Sequence, residues 1–317
     1  MRSSIMQKPA EAIRSLSVLG ILLLICIVFT LGSSEFLTAS NLINVALQTS
    51  IIAIVAIGMT FVIFTAGIDL SVGSLMALSG AVAAGLAVRQ GMDTYFAISL
   101  AVGVGLILGA INGLMIIKGG IPPFVATLSM LAVARGLTLV YTQGRPIAGL
   151  DERFIYWGTG QIFGIPLPVI MMAVIAVVAH IITRYTPFGL HVYATGGNEE
   201  TTRLAGISPD RIKLAVYMIS GILAALGGVL LTARLWSAQP NAATGWELDA
   251  IAAPVLGGTS LFGGVGSISG TVIGAFIIGV LSNGLNLMGV PSYYQQVIKG
   301  LVFILAVTVD LLNKRRR

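Results

Sequence analysis

Apolar residues in this chain gather in long unbroken runs, at 15–33, 42–65, 71–88, 95–117, 122–141, 164–183, 212–234, 248–262, 267–287 and 294–312. Most reach the length at which an α-helix crosses about 30 Å of hydrocarbon, roughly 18 residues or more. The runs are continuous rather than alternating, which excludes a membrane barrel. The pattern predicts an all-α integral membrane protein, a polytopic bundle of about ten transmembrane helices forming one domain over residues 1–317.

Composition agrees. Only 9% of residues are charged and 56% are hydrophobic, with mean hydropathy +0.97, against about 25% charged in soluble domains. The net charge of +6 does not point to nucleic acid, because the basic residues cluster in three places. Arg2, Lys8 and Arg14 precede the first run, Lys314-Arg315-Arg316-Arg317 end the chain, and Arg184, Arg203, Arg211 and Lys213 share one loop. The positive-inside rule places all three in the cytoplasm, so the span count is even and divides six plus four around that loop. This orientation implies a multi-pass protein of the bacterial cytoplasmic membrane with both termini inside. The first run is too long for a signal-peptide core and is expected to be retained. Arg89, Arg145, Arg153 and Arg234 then fall outside, the middle two beside Asp151 and Glu152. Tyr156, Trp157, Trp236 and Trp246 in the outer loops suit either a membrane interface or a docking surface. Cys26, the single cysteine, excludes a disulfide framework.

Two faint echoes run along the chain. Asn112-Gly113-Leu114 with Ile121-Pro122-Pro123-Phe124 is echoed by Asn283-Gly284-Leu285 with Val290-Pro291-Ser292-Tyr293, and Gly73-Ser74-Leu75 by Gly266-Ser267-Ile268. Their offsets differ, so both cannot belong to one rigid repeat. Five spans per half, inverted and with broken helices, is the transporter design that such echoes suggest.

One polar stretch stands out from the apolar runs: Gly196-Gly197-Asn198-Glu199-Glu200-Thr201-Thr202-Arg203-Leu204-Ala205-Gly206-Ile207. Asn198 is a natural N-cap, Glu199 and Glu200 suit the first turn, Arg203 the last, and Gly206 the stop. Ser208-Pro209-Asp210 starts the next helix. A helix of about eight residues is only ~12 Å long, too short to stand alone. It needs something to dock against, and another protein is the natural occupant.

No catalytic constellation is visible. Lys118 and Lys299 are each followed by Gly and open no phosphate-binding loop, so any ATP use must come from a partner. His180 and His191 have no ligand-type neighbours at metal spacing. Gly67-Ile68-Asp69-Leu70-Ser71-Val72-Gly73-Ser74 brackets an acid and hydroxyls between glycines. It is either a turn at the membrane edge or a helix broken inside the bundle, where freed backbone can line a polar cavity. Val255-Leu256-Gly257-Gly258-Thr259-Ser260, with Pro254 before it, is a second break. Asn44, Gln48, Asp69, Ser71, Thr127, Asn283, Asn286 and Tyr293, with Tyr294 and Gln295, supply hydroxyl and amide groups for a substrate pathway. Few charges among them favours a neutral polyol over an ion. Arg135, inside the fifth run, either pairs with Asp69 or reaches an interface.

Taken together, Gly58-Met59-Thr60, the Gly67–Ser74 segment, Gly196-Gly197-Asn198-Glu199 with Thr202–Ile207, Ser237-Ala238-Gln239-Pro240, Glu247–Ala253, Leu256–Ser260 and Asn283–Leu287 make the chain resemble a known family. It resembles the permease subunits of bacterial ATP-binding-cassette importers for sugars, of the ribose type, over about residues 16–310. Pro254 and Trp236 depart from that pattern. The resemblance implies two permease chains, an ATPase with two cassettes that bind ATP and Mg, and a periplasmic sugar-binding protein, with no cofactor on this chain. It also implies that 196–207 is the coupling helix that sits in the ATPase. Two rival readings remain at this point, a proton-coupled secondary transporter with Asp69 titrating and an intramembrane enzyme.

Overall fold

The computed structural model describes the backbone of residues 3–315 and the side chains of 18–308, 310 and 311. The basic groups of Arg2, Lys8, Arg14 and Lys314–Arg317, on which the predicted orientation leans, lie outside the described side chains. The elements in chain order are α1 (Ser3–Gly32), α2 (Ala39–Phe64), α3 (Val72–Arg89), α4 (Thr94–Ile117), α5 (Pro123–Thr142), β1 (Ile147–Ala148), α6 (Glu152–Thr159), β2 (Gln161–Ile162) and β3 (Ile165–Pro166). They continue with α7 (Leu167–Tyr185), α8 (Pro187–Gly197), α9 (Glu199–Leu204), α10 (Pro209–Arg234), β4 (Ser237–Ala238), α11 (Trp246–Leu256), α12 (Ile268–Leu287) and α13 (Ser292–Arg315).

The protein is a helical membrane bundle. Among the described residues seven helices are long and apolar enough to cross a bilayer: α2, α3, α4, α5, α7, α10 and α12. The other three predicted runs fall on α1, α11 and α13. The described apolar part of α1 is short, Val18–Gly32, and α11 has 11 residues, about 16 Å and half of what hydrocarbon requires. The pattern does not foresee α6, α8 or the two-residue strand pairs β1–β4 and β2–β3. The β1–β4 pair ties the segment after α5 to the segment after α10.

At the centre stands α2, buried at every residue from Thr49 to Thr65. A helix apolar on all sides needs neighbours on all sides, and α2 packs against α7, α10, α11 and α12. The outer helices α4, α5 and α7 turn Ile107, Leu137, Val140, Val174 and Val177 outward, the face that hydrocarbon covers. Two antiparallel seams hold the bundle together by different chemistry. Between α4 and α10, Gly105, Gly109 and Gly113 recur every four residues along one face and lie against Gly221, Tyr217 and Leu214. A methyl added to Gly105 would strike the Gly221 carbonyl oxygen, and one on Gly109 that of Tyr217. Such backbone contact replaces the hydrophobic drive that lipid removes. Between α2 and α12 the contacts are polar. Asn41 and Asn283 exchange amide hydrogen bonds of 3.0 and 2.8 Å, and the Thr60 and Thr271 hydroxyls meet at 2.8 Å.

The α4–α10 seam yields a sign that separates packing from propensity. Gly103 of α4 faces open space, so Gly103→Ala should gain up to about 1 kcal/mol of helix propensity. Gly105→Ala should instead lose ~1–3 kcal/mol through overpacking. Thermal unfolding of the purified protein in mild detergent checks this, and a Gly105→Ala variant as stable as Gly103→Ala would contradict the seam.

Candidate functional site

The polar loop between α7 and α10 folds from local signals. Thr186 caps α8, its hydroxyl accepting from the Gly189 N–H at 3.3 Å, with Pro187 in the first turn. At the far end Asn198 leaves helical geometry (φ −160°) and its side-chain oxygen accepts from Thr201 N–H at 2.8 Å, opening α9 with Glu199 and Glu200 in the first turn. α9 has six residues, about 9 Å, shorter than the eight expected. Gly206 stops it at φ +82°, its N–H reaching the Arg203 carbonyl at 3.0 Å, and Ile207 N–H reaches the Thr202 carbonyl at 3.3 Å. Ser208 occupies the next cap position without a side-chain bond, and Pro209 opens α10.

Charge holds α9 to α10. Lys213 Nζ donates to Glu199 Oε2 at 2.6 Å, and Arg203 lies between Glu199 (3.5 Å) and Asp210 (3.4 Å). Thr202 is buried, its hydroxyl donating to the Asn198 carbonyl at 2.8 Å. Glu200, Arg203, Ala205 and Gly206 are exposed, and Leu204 is 84% exposed, an apolar side chain at the tip of a polar element.

The Gly67–Ser74 segment is a break inside the bundle, not a turn at its edge. Asp69 and Ser71 are fully buried. The Asp69 carboxyl accepts from Ser71 N–H (3.0 Å), from the Ser71 hydroxyl and from Ser220 of α10 (2.8 Å). Ser220 sits eleven residues into α10, about 16 Å from its start. Asn112 of α4 donates to Ser71 Oγ at 2.9 Å while its own Oδ1 has no hydrogen-bond partner among the described residues. Thr127 of α5 donates to the Ile68 carbonyl at 3.2 Å. Three neighbouring helices thus hold the break, α5 through the Ile68 carbonyl and α4 and α10 through the Ser71 and Asp69 side chains.

Arg135 does not pair with Asp69. It donates to the carbonyls of Pro240 and Ala242, both at 2.9 Å, the segment where the chain interrupts itself between α10 and α11. About 18 Å along α5, the guanidinium takes the place that water would have at a surface. Gly73 in the first turn of α3 lies against the Ala243 carbonyl and the Glu247 carboxyl of this same segment. The second break follows Pro254 directly, α11 ending at Leu256.

Of the predicted pathway residues, Asp69, Ser71 and Thr127 come together. Asn283 is taken up by Asn41, and Asn286 accepts from Gln295 at 2.7 Å. Asn44 and Gln48 lie in the first turns of α2, and Tyr293 is exposed, its ring tilted against that of Tyr294 with centroids 4.7 Å apart. The pattern passes over one pair: Lys299 of α13 donates to Asp249 of α11 at 2.9 Å. Its signal was present, since ionisable residues inside apolar runs are costly and need partners. Ser260 Oγ and Leu261 N–H also donate to Asp310, at 3.2 and 3.3 Å, fastening the loop after α11 to α13. Among the described residues no group of three or more His, Cys, Asp or Glu gathers as a metal site.

A family model described as the permease component of the branched-chain amino acid transport system matches residues 41–307. The chain is 50% identical over 304 residues to the ribose import permease protein of Escherichia coli K12, covering 95% of this chain and 94% of that one. It is 51% identical over 294 residues to the ribose import permease protein of Bacillus subtilis 168, covering 92% and 91%. It is also similar to the D-allose transport system permease protein of E. coli K12, 41% identical over 291 residues and covering 92% and 89%. No solved structure matches the chain.

The buried break makes a prediction about Asp69. Asparagine keeps one oxygen for the Ser71 N–H, and its amide can donate to Ser220, whose hydroxyl both donates and accepts. Leucine leaves the Ser71 N–H and the O–H donors of Ser71 and Ser220 without the carboxyl that accepts from them, at about 1–3 kcal/mol per group. Asp69→Asn should therefore retain most stability and transport while Asp69→Leu loses both, as read by detergent melting and vesicle uptake. If Asp69→Asn abolishes uptake and the wild type takes up protons with its solute, Asp69 is a proton carrier and this account fails.

Proposed function

The chain belongs to the family of permease components described for branched-chain amino acid transport systems, and on that premise we propose that it is the membrane subunit of an ATP-driven importer of ribose or a similar neutral monosaccharide. The observation that carries the energy source is α9. It is capped at both ends and locked to α10 by ion pairs, and it presents Leu204 outward from a polar loop. A docking surface of this kind suits a cytoplasmic ATPase, which holds ATP and Mg, and residues 196–207 are the coupling element. The assembly holds two copies of this chain in the bilayer and one ATPase with two cassettes on the cytoplasmic side, fed by a periplasmic sugar-binding protein. It sits in the bacterial cytoplasmic membrane with both termini inside.

Support for a neutral solute comes from the bundle interior. Asp69, Arg135, Asp249 and Lys299 are each engaged by groups of the protein itself, so none of these charges stands free to pair with a charged cargo. A zwitterionic amino acid would need both a free cation and a free anion. Ribose-named relatives at about half identity, over nearly the full chain, support the same choice. The substrate pathway is assigned to Asn44, Gln48, Asp69, Ser71, Thr127, Asn283, Asn286 and Tyr293.

We also propose ten spans in an inverted five-plus-five arrangement. α2 and α10 are both 26 residues long, and each is followed by an interruption and a further helix. Asn112-Gly113 and Asn283-Gly284 lie on α4 and α12, each packed against one of those long helices. To invert access from 1:99 to 99:1, ATP binding must supply about 5.5 kcal/mol of differential affinity, delivered through the two coupling elements.

Two outcomes follow. Glu199→Lys sets like charge against Lys213, and Gly206→Leu places a branched side chain at positive φ. The double variant should insert normally yet import ribose at least about tenfold more slowly. Wild-type import with normal ATPase binding would refute α9 as the coupling element. The permease alone in vesicles should neither hydrolyse ATP nor accumulate ribose, and accumulation should require both the ATPase inside and loaded binding protein outside. Uphill uptake by the lone chain, driven by a pH gradient and indifferent to ATP, would overturn the proposal in favour of secondary transport.

A further inference from the structure

Three stretches of backbone meet at the root of the docking element, with glycines where they come closest. They are the end of α8 at Gly196-Gly197, the end of α2 at Phe64–Ala66, and the loop before α12 at Gly263–Gly266. A Cβ on Gly196 would fall onto the Phe64 carbonyl oxygen and stand 2.7 Å from Gly264 N. One on Gly263 would meet Gly196 O at 2.9 Å and Ala66 N at 2.8 Å, and one on Gly264 would meet Gly197 at 3.1 Å. The Gly264 N–H donates to the Phe64 carbonyl at 3.0 Å. One helical turn back, the Tyr193 ring lies tilted against Phe64 with centroids 4.5 Å apart, and its hydroxyl donates to the Gly266 carbonyl at 3.0 Å. Tyr193 thus touches both of the other stretches.

Each stretch leads to a different interruption. Phe64–Ala66 runs directly into the buried break at Ile68–Ser71, which grips α4, α5 and α10. The Gly263–Gly266 stretch belongs to the loop after α11, which Asp310 holds to α13. Close-packed matter does not deform continuously, so backbone held against backbone moves as one piece.

We propose that Gly196, Gly263, Gly264 and Tyr193 are positioning residues of a rigid junction, which delivers a displacement of α9 at once to the α2–α3 break and to the loop that carries α13. The proposal rests on reading α9 as the ATPase-docking element. It adds the route by which one input at the surface reaches two separate helix interruptions.

The test uses the complete transporter, reconstituted with its ATPase and binding protein, and reads ribose imported per ATP hydrolysed. Gly196→Ala must force the stretches apart. It should keep hydrolysing ATP while importing at least about tenfold less ribose per ATP, and Gly103→Ala should keep the wild-type ratio. A wild-type ratio in Gly196→Ala overturns the junction. Should that variant fail to assemble, Tyr193→Phe removes only the hydroxyl that reaches Gly266. It should lower the ratio roughly threefold or more with hydrolysis intact, and an unchanged ratio counts against the proposal. Spin labels at the exposed positions Leu190 and Phe262, in a Cys26→Ser background diluted with unlabelled chain, read the junction directly. Their distance should be the same with and without trapped nucleotide, and a nucleotide-dependent change refutes rigid motion. If wild-type chain recruits no ATPase at all, the docking reading itself fails, an outcome distinct from every result above.

Discussion

A backbone amide or carbonyl buried in a membrane bundle has no water to turn to, and this fold is arranged around the places where its helices are interrupted. At Ile68–Ser71 the Asp69 carboxyl takes the Ser71 N–H and Thr127 of α5 takes the Ile68 carbonyl, while Ser220 of α10 and Asn112 of α4 hold the Asp69 and Ser71 side chains in place. At Pro240–Ala242 they are met by the guanidinium of Arg135. Each interruption is therefore also a fastening. The helices that satisfy it cannot drift without leaving polar groups bare, at about 1–3 kcal/mol for each. Breaks that would weaken a soluble helix here specify which helices stand together.

The two long seams show the same economy by opposite means. Gly105, Gly109 and Gly221 remove side chains so that α4 and α10 touch along their backbones. Asn41, Thr60, Thr271 and Asn283 place polar groups in opposed pairs along α2 and α12. Lipid offers no hydrophobic reward for helix contact, so close approach and paired polar groups carry the association. The Lys299–Asp249 pair belongs with the second kind. Its two charges are tolerable because each neutralises the other within 2.9 Å.

Local chemistry is what the sequence discloses well. The start of α9 at Asn198 and its stop at Gly206 are legible because a cap is made within three or four residues. The apolar runs locate the helices for the same reason. The depth of the Gly67–Ser74 break is not legible, since the same eight residues would serve at a membrane edge. What buries them are residues 112, 127 and 220, far along the chain. A pairing of Arg135 with Asp69 follows naturally from opposite charge in an apolar setting. It fails because hydroxyls and an amide next to Asp69 are nearer, while Arg135 finds carbonyls that the 239–245 interruption has freed. The short helix α8 has a local start signal in Thr186-Pro187 but no apolar periodicity of its own, because Val192 and its neighbours are held by tertiary packing.

The seat of the first helix has a consequence for how the chain is made. The helix contacts of α1 are chiefly with α12, and the Phe29 ring lies directly over Gly284, where any side chain would collide with it. The ribosome reaches Gly284 roughly 250 residues after Phe29, about 10–50 s later at ordinary rates of synthesis. Throughout that interval α1 waits in the bilayer without its partner. Its outward leucines and isoleucines, from Leu19 to Leu31, let it persist there against lipid, with Phe29 beside only the nearby Phe36, until the other end of the protein arrives.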